Sequence, residues 1–163
     1  MENFSGLTPE EKARLLDLEK SVELDKARPK IKKDFLSFVK YVWPEFIEGS
    51  HHKKINKKFN DLAQGKIKRL IINMPPRHTK SEFASYLLPA WMVGLDPRLK
   101  IIQATHTADL AIDFGRKTKN LVDQPNYKQL FDTRLMEDSQ AAGKWKTEQG
   151  GEYFAAGVGG AIT

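Results

Sequence analysis

Apolar residues in the first third of the chain recur at helical spacing. Thr8-Pro9-Glu10-Glu11 has the form of a capping box with proline at the first helical position. Leu15, Leu18 and Val22 follow three or four residues apart, which predicts a helix to about Lys26. Ile31, Phe35, Phe38, Val39 and Val42 predict a second helix over Lys30–Val42, closed by Pro44. Ser50 is placed to cap a third, with Ile55, Phe59 and Leu62 inward and a stop near Gly65. Its polar face then carries Lys53, Lys54, Lys57 and Lys58.

The period changes at Ile67–Asn73, where Leu70-Ile71-Ile72 is a short branched run bounded by charge and by Pro-Pro, as in a buried strand. A helix is predicted from Lys80, with Phe83, Leu87 and Trp91 on one face and a kink or break at Pro89. Lys100–Thr105 repeats the strand pattern. Thr107 is placed to cap a helix over Ala108–Val122 that buries Leu110, Phe114 and Leu121. Alternating strand and helix at these lengths predict an α/β fold whose parallel sheet is joined by crossover helices. Past Gln124-Pro125 the chain is turn-rich, with short strands expected at Lys144–Thr147, Tyr153–Ala156 and Val158–Thr163. Trp43, Trp91 and Trp145 are assigned to core or rim packing.

Composition adds compartment and charge. No run reaches the roughly 20 apolar residues of a membrane span, and Met1–Gly6 lacks the basic flank and apolar run of a secretory signal. Absence of cysteine excludes disulfides, thiolate metal sites and thiol nucleophiles, and fits a reducing cytoplasm. The net charge of +6 is unevenly distributed. Residues 1–25 hold 3 basic and 7 acidic side chains, residues 26–69 hold 13 and 4, and residues 70–163 hold 11 and 10. The +9 of the middle segment suits a polyanionic partner such as nucleic acid, and equally a solvated lysine-rich helix face.

Candidate chemistry centres on Met74-Pro75-Pro76-Arg77-His78-Thr79-Lys80-Ser81, between the expected strand and helix. The phosphate-loop pattern G-x-x-x-x-G-K-[ST] is met at Lys80 and Ser81, while Met74 and Thr79 stand at its glycine positions. Helix-start amides and the positive end of the helix dipole favour phosphate oxygens. Lys80 adds a full charge, worth roughly 4 kcal/mol before desolvation at about 4 Å and an effective dielectric of about 20. Ser81 is the hydroxyl that would face Mg2+. In place of the glycines, Pro75-Pro76 supply rigidity and Arg77 supplies charge.

These residues resemble the deviant phosphate loop of the large terminase subunits of tailed bacteriophages. The resemblance runs through Asn73–Phe83, Leu88-Pro89-Ala90-Trp91, Ile102–His106, Asp113–Lys117, Gly150–Tyr153 and Ala156–Thr163, and covers roughly Phe35 to the end of the chain. It implies a P-loop NTPase-like sheet preceded by a helical lobe. The division would be an acidic helical arm (1–28), a basic helical lobe (29–66) and the first part of an ATPase core (67–163). It further implies ATP and Mg2+ held by Pro76, Arg77, His78, Thr79, Lys80 and Ser81, with Ser81 on the metal and Arg77 and Lys80 in catalytic roles. The implied activity is packaging of double-stranded DNA into a procapsid in the host cytoplasm. Its partners would be a portal protein, a small terminase subunit and further copies of the chain in a ring, with no membrane.

No apolar strand in the sequence is followed by the acidic pair that would hold Mg2+ and orient water. The resemblance places that pair, and the nuclease acids after it, beyond Thr163. The chain is therefore expected to bind nucleotide and to hydrolyse it little by itself. Further residues have two candidate roles each: His51 and His52 as adenine contacts or part of a helix start, and Thr105-His106 as a sensing element or a strand end. Arg116, Lys117 and Lys119 would touch DNA or a neighbouring subunit, or form a solvated face. Rival functions are another P-loop enzyme, such as a helicase-like ATPase or small-molecule kinase, and a non-enzymatic basic DNA-binding module.

Overall fold

A computed structural model describes residues 8–158, apart from the side chain of Gln140. Thr8 opens α1 (Pro9–Lys33) as expected: its hydroxyl accepts the Glu11 amide and Glu11 Oε2 accepts the Thr8 amide at 2.8 Å. The helix runs on through Pro29 to Lys33, so the boundary expected before Lys30 is displaced. Asp34 makes the break. Its extended backbone separates α1 from α2 (Phe35–Val42), and its side chain caps α2 by accepting the Ser37 amide at 2.9 Å.

Helix α3 (Ser50–Ala63) is capped by Gly49 rather than Ser50, and the left-handed Gly65 (φ 71°) lies just beyond its end. It meets the start of α2 through two asparagines a turn apart. Asn60 Oδ1 accepts the Phe35 amide at 2.9 Å and Asn56 Oδ1 the Leu36 amide at 2.8 Å, while both Nδ2 groups donate to Asp34 Oδ1. The first three amide donors of α2 are thus all satisfied by side chains. Burial works to raise the Asp34 pKa, but the hydrogen bonds from Asn56, Asn60 and Ser37 outweigh it and hold the carboxyl below its ordinary value.

The strand expected over Ile67–Asn73 is not a member of the sheet. Leu70, Ile72 and Met74 are half-buried against the core while Ile71 is 86% exposed, which is the alternation of an extended chain. A strand needs a neighbour's backbone to form a ladder, and among the described residues none pairs with this segment. A helix then starts at Lys80, passes through a π-helical segment (Glu82–Leu87) and continues as α4 (Leu88–Leu95). The break expected at Pro89 is accommodated by that segment. Proline has no amide to offer the Ser85 carbonyl and its ring would collide with it, so the backbone widens ahead of it; Leu88 N–H bonds back five residues to Phe83. The predicted face, Phe83, Leu87 and Trp91, is buried.

Strand β1 (Lys100–Thr105) leads through Thr107, which caps as expected, into α5 (Ala108–Asp123). Phe114 and Leu121 are buried, but Leu110 is 45% exposed, while its neighbour Ala111 is the residue of the first turn that is buried. Helix α6 (Pro125–Leu130) and strand β2 (Leu135–Ala141) occupy a stretch expected to be turns; β3 (Lys144–Thr147) and β4 (Glu152–Gly157) fall where strands were expected. Of the strand expected over Val158–Thr163, only Val158 belongs to the described residues, and it lies in a turn.

The described residues form a mixed α/β structure with six α-helices and a four-stranded mixed sheet, in the order β1-β4-β3-β2. The parallel sheet expected from the sequence is formed in one pair alone among the described strands: β1 and β4 run parallel, Lys100 opposite Glu152 through Thr105 opposite Gly157. Short links join β2 to β3 at Ala142-Gly143 and β3 to β4 at 148–151, and links of that length force antiparallel pairing. Helix α5 packs on β4 and β1, and its Gly115 permits close approach: a Cβ there would collide with the Ala142 carbonyl.

Phe35 lies at the centre of the core, edge-on to Phe59, Phe83 and Trp91 with ring centroids 5.0 to 5.7 Å apart. Trp91 in turn donates its indole N–H to the Ile31 carbonyl at the end of α1. Phe35→Ala is expected to cost about 3–5 kcal/mol, because three rings lose a shared partner and cannot all close on the space. Urea unfolding followed by Trp fluorescence measures it, and a loss below about 1 kcal/mol would contradict this account of the core.

Candidate functional site

The loop 75–81 lies between the extended Leu70–Met74 segment and the helix beginning at Lys80. Pro75, Pro76, Arg77, His78, Lys80 and Ser81 are exposed, and Thr79 is half-buried. The first hydrogen bond of the helix runs from Phe83 N–H to the Thr79 carbonyl at 2.9 Å. Ahead of it stand the amides of Lys80, Ser81 and Glu82, which a helix start leaves without internal acceptors. Pro75, Pro76, Arg77, Thr79, Lys80, Ser81 and Glu82 line an open concavity of about 180 Å³.

Arg77 (φ 63°) and Thr79 (φ 60°) both adopt left-handed backbone conformations. They are the described non-glycine residues that do so. Thr79 is β-branched, for which this region is strongly disfavoured. It stands at the second glycine position of the loop pattern, so the chain takes the glycine-like geometry without glycine, at about 1–3 kcal/mol per residue. The sequence suggested that Pro75-Pro76 rigidity would replace the glycines. The structure adds strained backbone at the following residues.

Several contacts hold the loop. His78 Nδ1–H donates to the Pro76 carbonyl at 2.8 Å, and Thr79 Oγ1 donates to the His78 carbonyl at 2.6 Å. The Lys80 ammonium reaches the Met74 carbonyl at 3.5 Å, a long contact that leaves it exposed and able to turn to an anion. Glu82 is engaged by Lys117 of α5 at 3.1 Å, which offsets a negative charge at the rim of the concavity. Such an exposed pair contributes little to stability.

His52 comes from another element. It is 5% exposed, packed among the rings of Phe46, His51 and Phe83. Its Nδ1 accepts the Gly49 amide at 2.8 Å, so in the neutral ring Nε2 carries the proton and donates to Thr79 Oγ1, also at 2.8 Å. Both nitrogens are engaged inside the protein, and the ring is not open to an adenine. His51 is half-buried, and with Lys54, Ile55, Lys58 and residues 70–74 it lines a mainly apolar groove of about 330 Å³ next to the loop. Sequence reasoning missed the link from His52 to Thr79. A histidine at the third helical position and a threonine in a glycine position were the available signals, and nothing in their spacing joins them.

Of the remaining candidates, Lys117 has a contact with the concavity, through Glu82. Thr105 ends β1 and donates its hydroxyl to the Thr107 carbonyl at 2.7 Å; His106 is exposed. Among the described residues, no hydrogen bond or ion pair given by the geometry joins either to the loop. Arg116 pairs with Asp113 within α5, Lys117 reaches Glu82, and Lys119 is half-buried on the same helix. The α3 lysines 53, 54, 57 and 58 are exposed, Lys53 pairing with Glu48.

Comparison with protein-family models, curated proteins and solved structures finds no match to this chain. Functional assignment therefore rests on the site itself. Among the described residues, no helix is long and apolar enough to cross a membrane.

Burial holds the His52 pKa below its ordinary value of 6.5, helped by the charges of His51 and His78 and opposed by Glu48. Below pH 6.5 the unfolded chain takes up a proton that the folded ring resists, so this residue removes stability as pH falls from 6.5 toward the folded pKa. Urea midpoints from pH 7.5 to pH 5 are expected to decline more steeply in the wild type than in His52→Asn, which has no proton to take up. Parallel declines would contradict the assignment.

Proposed function

We propose that the chain is the nucleotide-binding part of a viral DNA-packaging motor of the large-terminase kind, with a P-loop NTPase-like core. The observation that carries this reading is the exposed Lys80-Ser81 helix start behind a loop that takes left-handed geometry at a glycine position. The residues fit a triphosphate. Residues 80–82, at the helix start where backbone amides have no acceptor within the helix, line the concavity, and Lys80 and Arg77 bring positive charge to it. Ser81, exposed at the second helical residue, is the hydroxyl suited to a Mg2+ between phosphates. The groove beside His51 and Ile72 offers an apolar surface of a size suited to a base.

When bound, Mg-ATP supplies the phosphoanhydride whose cleavage would drive the motor. This chain's residues bind and orient it. Neither strand end facing a helix, Thr105-His106 after β1 or Gly157-Val158 after β4, carries an Asp or Glu, so no residue here is assigned the activation of water. Double-stranded DNA is the proposed polyanion for the exposed lysine face of α3, and the portal, small subunit and ring partners belong to the same proposal.

Lys80→Ala is expected to abolish the heat of Mg-ATP binding in calorimetry while the far-UV circular dichroism stays that of the wild type. Undiminished binding would reject the assignment. Replacing Lys54, Lys57 and Lys58 together by Ala is expected to weaken duplex DNA binding across unrelated sequences. It should also flatten the dependence of log K on log salt by up to about one per lysine, and an unchanged slope would remove α3 from the DNA interface.

A further inference from the structure

We propose that His52 is a positioning residue for the phosphate loop: its Nε2–H braces Thr79 in the left-handed conformation that sets the Lys80 helix start. This inference rests on the phosphate-binding assignment of the loop. The brace is directional. Gly49 N–H donates to His52 Nδ1, His52 Nε2–H donates to Thr79 Oγ1, and Thr79 Oγ1–H donates to the His78 carbonyl. Each group holds the role its neighbour requires, and the ring cannot swing away because Phe46, Phe83 and His51 enclose it. Thr79 needs such a hold, since a β-branched residue at φ 60° relaxes toward negative φ once released. Relaxation would turn the Thr79 carbonyl away from the Phe83 amide and move Lys80 with it. A glycine would sit in the same conformation unaided. Histidine on a neighbouring helix therefore does here what glycine does in the common loop.

Two substitutions separate this role from the capping of α3. His52→Asn keeps an acceptor for the Gly49 amide but is too short to reach Thr79. His52→Gln keeps that acceptor and extends an N–H to the Nε2 position. His52→Asn is expected to weaken Mg-ATP binding by about three- to tenfold, the range for one hydrogen bond. Its Thr79 and Lys80 amides should also become mobile in 15N relaxation without nucleotide. His52→Gln should recover most of both. In a Thr79→Gly background, where the left-handed backbone needs no support, the same His52→Asn change should leave affinity unaltered relative to Thr79→Gly alone.

Equal behaviour of the Asn and Gln variants, or an undiminished His52→Asn penalty in the glycine background, would overturn the brace. Failure of the wild type to bind Mg-ATP would reject the phosphate assignment instead. The brace would then be decided by amide order alone, and unchanged order in His52→Asn would overturn it.

Discussion

A single carboxylate, that of Asp34, fixes how the helices meet. It ends α1 and caps α2, and it anchors the Asn56 and Asn60 side chains of α3, which hand their own oxygens to the α2 amides. The network is closed: the amides of Phe35, Leu36 and Ser37 all have acceptors, and both asparagine amides have the carboxylate. Closed polar networks at partly buried positions fix one arrangement, because any slip leaves donors unpaired at a cost of about 1–3 kcal/mol each. The residue after Asp34 is Phe35, so the same junction that orients the helices delivers the central ring of the core.

This geometry reaches the loop through α3. His52, Asn56 and Asn60 are spaced four apart and so share one face of that helix. Its C-terminal half is tied to α2 by the asparagines, and its N-terminal end is tied to Thr79 by His52. A strained backbone persists only where its surroundings over-determine it. Here the surroundings are a helix pinned at its far end by a carboxylate, so the loop draws on a contact 27 residues away in sequence, that of Thr79 with His52.

Helices were the legible part of the sequence because their signals are local. The Thr8 capping box, the Thr107 cap and the buried face Phe83, Leu87, Trp91 all follow from residues within two turns. Pairing partners were not legible. Leu70-Ile71-Ile72 has strand composition and even strand alternation, yet a ladder depends on a second segment that no local pattern names. The sheet's mixed sense depends on two short links, Ala142-Gly143 and 148–151, whose effect appears only once β2 is known to be a strand. For the site, Lys80 and Ser81 were readable as a motif, and their exposure at a helix start agrees with it. The left-handed Arg77 and Thr79 were not, since residues with side chains rarely take that conformation and no local pattern signals it.

Helix α3 has two working surfaces under the proposed function. One holds the loop by way of His52; the other presents Lys53, Lys54, Lys57 and Lys58 to solvent. These surfaces belong to one element, with His52 and Lys53 adjacent in sequence, and Lys54 and Lys58 also line the groove beside the loop. A polyanion drawn to the lysines and a nucleotide seated at Lys80 would then act on the same helix. Any change in α3 position that one ligand favours alters the support of Thr79, and linkage makes the effect reciprocal. A loop built on glycine would keep its shape whatever α3 did, whereas a loop whose geometry depends on His52 cannot be indifferent to where α3 lies. Substituting threonine for glycine thus exchanges local stability for dependence on a neighbouring helix.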